Sequence, residues 1–134
     1  MNELFVDTNV FIYALDKNSI YNEQSSQILT SQENMLFTSS KNISELFAVI
    51  SKLNINKMLF NRFYTELKQN TGILFPNNDS LEKFEKLMKK YNPVGNRVFD
   101  IEIVSIMLSY GIKHLATFNK KDFTGIEEIK LPEL

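Results

Sequence analysis

Short apolar runs alternate along this chain with longer stretches whose apolar residues recur every three or four positions, and polar clusters divide them. The first run, Leu4-Phe5-Val6, is closed by Asp7-Thr8-Asn9. A short apolar run closed in this way predicts a buried strand. The polar triplet then supplies N-cap chemistry for a helix beginning near Val10. After a turn over 16–19, a polar helix is expected from about Tyr21 to Ser31, with Ile28 and Leu29 inward. Met35-Leu36-Phe37-Thr38 predicts the second strand. Ser39 and Ser40 follow as caps for a helix carrying Ile43, Leu46, Phe47, Ile50 and Leu53, a helical stripe. Another helix carries Leu59, Phe63 and Leu67 and stops at Asn70-Thr71-Gly72.

Ile73-Leu74-Phe75 predicts a third strand, closed by Pro76. The next helix carries Leu81, Phe84, Leu87 and Met88, with Ser80 or Asp79 as its cap. Tyr91-Asn92-Pro93-Val94-Gly95 breaks the chain before a helix from about Val98 to Tyr110, and Gly111 is a natural stop. His114-Leu115-Ala116-Thr117 predicts a fourth strand, 119–122 a polar loop, and the region of Ile129 a last short strand. Alternating strands and helices predict an α/β fold: a central parallel sheet of four to five strands between two helical layers. Its crossovers should be right-handed. With no repeat, low-complexity tract or linker, residues 1–134 are expected to form one domain.

Composition changes this picture little. No apolar stretch approaches the ~20 residues that span a membrane, and no basic start with an apolar core marks an export signal. A cytoplasmic setting is expected. The absence of cysteine removes disulfides, thiolate nucleophiles and cysteine zinc sites together. The net charge of −1 exerts no overall pull on nucleic acid, so any such binding must come from local patches. Candidates are Lys120-Lys121, Arg97, Lys52, Lys57 and Arg62.

The candidate chemistry is acidic. Asp7 stands between the first strand and the first helix, where open α/β sheets place their sites, beyond the carboxyl ends of the strands. Glu45 falls in the first turns of the helix after strand two. Asp100 falls near the start of the helix after residue 97, and Asp122 in the loop after strand four. Each has a structural alternative: a helix cap for Asp7, an exposed helix face for Glu45 and Asp100, a turn for Asp122. Two observations favour a site. Glu45 adjoins the stripe Ile43, Leu46, Phe47 and is expected near the buried side. Asp100 lies in the mostly apolar Val98-Phe99-Asp100-Ile101-Glu102-Ile103, where an unpaired buried charge is costly. If the strand ends gather the four carboxylates, they repel one another and call for a cation. Oxygen-only ligands suit Mg2+ or Mn2+, and metal-held water is a nucleophile for phosphodiesters.

Leu4 to Leu15, with its Asp7-Thr8-Asn9, resembles the opening of PIN-domain ribonucleases, including the VapC-type toxins of toxin–antitoxin pairs. The stretch 39–45, the segment Gly95-Asn96-Arg97-Val98-Phe99-Asp100, and Ala116 to Phe123 resemble the family's later acidic blocks, in order and over nearly the whole chain. The resemblance implies a PIN-like α/β/α fold and a metal-dependent endoribonuclease. In that reading Asp7, Glu45 and Asp100 are metal ligands and Asp122 completes the pocket. Thr8 would orient the first carboxylate or a water through its hydroxyl, and Asn9, Asn119 and Arg97 would position substrate or water. The family often has an acid where this chain has Asn119, and often His where it has Phe99. An amide adds no charge, so one metal or two is left open. The implied partners are RNA, a second copy of the chain (with Phe60, Phe63 and Tyr64 as candidate contacts) and a small antitoxin, with no membrane.

Other chemistries fit less well. His114, the sole histidine, lies away from the acids, and no Gly-rich phosphate loop is present. Asn9 stands where haloacid-dehalogenase-like phosphatases need a second Asp. Phe75-Pro76-Asn77 lacks the Asp that response-regulator receivers carry after strand three. The rival from another class is a non-catalytic PIN-like module that binds RNA or protein without cutting.

Overall fold

The computed structural model describes residues 2–134. In chain order the elements are β1 (Asn2–Val6), α1 (Thr8–Leu15), α2 (Asn22–Thr30), β2 (Asn34–Ser39), α3 (Ser40–Lys52), α4 (Lys57–Asn70), β3 (Thr71–Leu74), α5 (Asn78–Tyr91), α6 (Arg97–Ser109) and β4 (Leu115–Ala116). The four strands form one parallel sheet in the order β3-β2-β1-β4. Phe5 lies opposite Phe37 of β2 and Leu115 of β4.

Successive side chains of a strand point to opposite faces, and β1 divides its residues accordingly. Leu4 and Val6 pack with Leu36, with Val10 and Phe11 of α1, with Leu46 of α3 and with Phe60 and Leu67 of α4. Phe5 packs on the other face with Leu87 of α5, Ile101, Val104 and Met107 of α6, and Phe123, Ile126 and Ile129 of the last segment. The sheet therefore separates two cores, which makes the three-layer α/β/α arrangement. α6 buries Ile101 and every residue from Ile103 to Met107. Each fully buried aliphatic side chain of this kind contributes roughly 1.5–3 kcal/mol. Among the described residues no helix is long and apolar enough to cross a membrane.

Several local expectations need correction. No fifth strand forms at Ile129. That segment makes an isolated bridge between His114 and Lys130, with Lys130 N–H donating to the Lys113 carbonyl at 2.8 Å. Ile129 is held by burial in the core beneath α6 instead. α4 does not end in a turn: β3 starts at Thr71, directly after Asn70. Gly72 is a strand residue, and a Cβ there would lie 2.7 Å from the Phe37 ring. The cap of α5 is Asn77, not Ser80 or Asp79. Asn77 Oδ1 accepts from Ser80 N–H, and Ser80 Oγ accepts from Asn77 N–H, both at 2.8 Å. This is a reciprocal capping box.

The stripes of α3 and α4 are also less fully covered than their spacing predicts. Phe47, Leu53 and Leu59 are exposed, although the ring of Phe47 meets those of Phe60 and Tyr64 in α4. Phe60, expected as a contact for a second copy, is buried, with its ring against Phe47 and Tyr64.

Candidate active site

β1 has β2 on one side and β4 on the other, so the chain leaves β1 toward one edge of the sheet and reaches the other edge only at its fourth strand. A crevice opens outside the carboxyl ends of the strands at such a reversal. Asp7 is the first residue beyond β1 and sits at this point. Its backbone N–H donates to the Ala116 carbonyl of β4 at 3.0 Å. Asp7 also caps α1, with Oδ1 accepting from Thr8 N–H at 2.8 Å.

The Asp7 carboxylate is held from four directions. Besides Thr8 N–H, the amide of Asn42 donates to Oδ1 at 3.3 Å. Oδ2 accepts from the Thr117 hydroxyl at 2.8 Å and from the Asn9 amide at 3.3 Å. Asn9 also donates to Thr117 Oγ1 at 3.1 Å and accepts from Phe118 N–H at 3.2 Å. Its polar atoms are thus engaged in tying α1 to the segment after β4. Asn42, one turn ahead of Glu45, is buried. It donates to Thr8 Oγ1 at 2.9 Å and accepts from the Ser39 hydroxyl at 2.6 Å. The Thr8 hydroxyl faces Glu45 Oε2 at 3.4 Å, so Thr8 meets Asp7 through its backbone and Glu45 through its side chain.

Asp7, Glu45, Asp100 and Asp122 line one cavity of about 700 Å³, together with Asn9, Arg97 and Asn119. Glu45 is exposed to that cavity rather than placed near the buried side. The reason is helical geometry: Leu46, next to it, takes the inward position. Three of the acids are pushed toward their protonated forms. For Asp7 the largest cause is burial, opposed by the hydrogen bonds from Thr117 and Thr8 and reinforced by Asp122. Part of Asp7 still touches the cavity, but protein encloses most of its carboxylate. Glu45 is raised by desolvation and then by repulsion from Asp7, with the Thr8 hydroxyl opposing. Asp100 is raised to about 6 by desolvation, then by Asp122 and Asp7, with Arg97 opposing and Glu45 adding.

No ion pair among the described residues neutralises any of the four. Arg97 places Nη2 3.4 Å from the Asp122 carbonyl and opposes the shift of Asp100. Lys41 lines the cavity and lies 3.7 Å from Glu102. Of the other basic candidates, Lys120 approaches Glu133 at 3.7 Å, and Lys57 lines a separate hollow with Phe47 and Ile50.

The donor set is oxygen-only, mutually repelling and open to solvent, which is the chemistry that suits a hard divalent cation. Among the described residues no three acids are yet gathered closely enough to hold an ion. Two facts account for this. The acids repel one another, and the roughly four acceptor sites of the Asp7 carboxylate face four donors. Two of these contacts, from Asn9 and Asn42, are long at 3.3 Å and are the ones an ion would displace.

Asn42 and Thr117 escaped sequence reasoning. Asn42 had one signal, a polar residue one helical turn before a candidate acid. Thr117 had only its place at the end of a strand.

The profile of the PIN domain family matches residues 4–128. No curated protein sequence matches the chain. Among solved structures, the fold is similar to VapBC2 from Rickettsia felis bound to a promoter DNA fragment, with a TM-score of 0.76 and 20% identity, covering 98% of each chain. It is similar to VapBC-1 from nontypeable Haemophilus influenzae, with a TM-score of 0.69 and 24% identity over 98% of this chain and 97% of that one. It is also similar to Mycobacterium tuberculosis VapC20, a toxin that cleaves the sarcin–ricin loop, with a TM-score of 0.71 and 12% identity over 90% and 92%.

Proposed function

The chain belongs to the PIN domain family, and from that premise we propose that it is an Mg2+- or Mn2+-dependent endoribonuclease, the toxin of a toxin–antitoxin pair. The observation that carries this reading is the convergence of Asp7, Glu45, Asp100 and Asp122 on one cavity at the reversal of the sheet, with no ion pair to neutralise them. These four would hold the cation. Bound there, it would supply activation of water and neutralisation of charge on the phosphate.

The chain's own groups have separable tasks in this reading. Thr117, Thr8 N–H and Asn42 fix the orientation of the Asp7 carboxylate. Asn9 acts as a positioning residue by joining α1 to the segment that carries Asn119 and Asp122. Arg97 and Asn119, on the cavity wall, would meet the RNA phosphate and water. Residues 1–134 would work as one unit in the cytoplasm. Its partners would be RNA, a small antitoxin, since two of the similar structures are VapBC complexes, and a second copy of the chain. Phe47, Leu53, Met58 and Leu59, exposed at the α3–α4 end, offer apolar surface for that copy.

The test is cleavage of a pool of structured RNAs in magnesium or manganese by wild type and Asp100→Asn, with a chelator control. Cutting by wild type alone, lost with chelator, is expected. Equal cutting by both proteins would remove Asp100 from the site. The dispersed placement of the acids favours one second reading, a non-catalytic binding module. That module predicts no rise in melting temperature on adding magnesium or manganese, whereas the nuclease predicts one.

A further inference from the structure

α6 buries most of its apolar side chains, yet Phe99 in its first turn is 63% exposed. It lines the acidic cavity and is next in sequence to Asp100. Arg97 and Lys41 line the same cavity. Among the described residues Lys41 makes one ion pair, a partly exposed contact to Glu102 at 3.7 Å, and such a pair competes weakly with a phosphate. The wall thus combines an exposed aromatic residue with acids and two cations. Proteins that hold single-stranded nucleic acid combine the same parts: aromatic rings on which bases stack, and cations that track the backbone. A base inside a duplex has no free face to offer.

We propose that Phe99 is the stacking platform for an unpaired nucleobase next to the phosphate that is cut, and that it restricts this nuclease to unpaired segments of RNA. The proposal rests on the nuclease reading above and deepens it. Arg97 and Lys41 hold the phosphates flanking the stacked base. Because every base has a π-face, Phe99 selects for the unpaired state rather than for a particular base.

The test uses 2-aminopurine-labelled RNA, as a short single strand and as the same strand paired with its complement. Binding is followed in magnesium with Phe99, Phe99→Ala, Phe99→Leu and Phe99→Trp, each in an Asp100→Asn background so that RNA is bound without being cut. Cleavage is followed with Asp100 intact. Quenching of the 2-aminopurine on the single strand is expected with Phe99 and Phe99→Trp. Phe99→Ala and Phe99→Leu should weaken binding by about 5-fold to 150-fold, raise KM for cleavage, and leave melting temperature within a few degrees. Equal single-strand affinity for Phe99→Ala and wild type would overturn the proposal while leaving the nuclease intact, and so would equal loss in Phe99→Trp. If Phe99→Ala changes only the oligomeric mass, the ring serves a protein contact and the proposal fails. Absence of both binding and cutting by the wild-type chain would remove the nuclease reading itself.

Discussion

Replacing Asp100 with Asn should stabilise the metal-free protein. The perturbation removes a charge and keeps the shape. Moving the Asp100 pKa from its ordinary 3.8 to about 6 corresponds to roughly 3 kcal/mol at about 1.4 kcal/mol per pKa unit. Asp100 is only half-buried and opens onto a wet cavity. Solvent screening reduces the gain to about 1–1.5 kcal/mol, or roughly 3–6 °C in melting temperature for a domain of this size. The pH dependence follows from the direction of the shift. Between the unfolded and folded pKa values the native state binds more protons, so stability falls as pH rises. The contribution is fully present below the ordinary value and lost as pH passes about 6. Wild type in chelator should therefore melt higher at pH 5 than at pH 7.5, and its gap to Asp100→Asn should narrow at pH 5 and close only below the ordinary carboxylate value. The chain has no tryptophan, so unfolding is best followed by far-ultraviolet circular dichroism. An Asp100→Asn protein that melts below wild type in chelator at pH 7.5 would refute the reasoning, because the charge would then be serving the fold.

Three further outcomes are expected. Thr117→Val removes the 2.8 Å hydrogen bond to Asp7 Oδ2 and should cost about 1–2 kcal/mol in urea denaturation, with cleavage falling further than stability. Gly72→Ala forces a methyl group into the Phe37 ring and should cost about 1–3 kcal/mol, with no change in KM if the defect stays at the β2–β3 pairing. A chelator should abolish cleavage and lower the melting temperature of magnesium-loaded wild type, but it should lower that of Asp100→Asn less.

The layers were legible because local chemistry and burial agree along most of this chain. Leu4-Phe5-Val6 is short, apolar and closed by a capping acid, and it forms the centre of the sheet. The four acids were readable as candidates because each follows or lies inside an apolar segment. What was not legible depends on distant partners. Thr117 meets Asp7 across most of the chain, and no spacing rule links them. The same holds for Gly72, which reads as a helix stop until Phe37 is seen against it. Phe47 fits the α3 stripe, but a stripe does not say how far the neighbouring helix extends. Its ring meets Phe60 and Tyr64 on one side and solvent on the other.

The tie between Asp7, Asn9 and the segment at Thr117 and Phe118 also bears on the timing of synthesis. β1 lies at the centre of the sheet yet precedes the other described strands in the chain, and β4 completes its second side. Until residues 115–118 have left the ribosome, β1 has one open edge, and Asp7 lacks Thr117 and its link to Ala116. Contacts of such long sequence separation form late and slowly. A nascent or truncated chain that stops before them carries the first three acids, Asp7, Glu45 and Asp100, but not the cavity that unites them with Asp122. The nuclease proposed here would thus be inert until the segment that carries Thr117 and Asp122 has emerged and folded against β1.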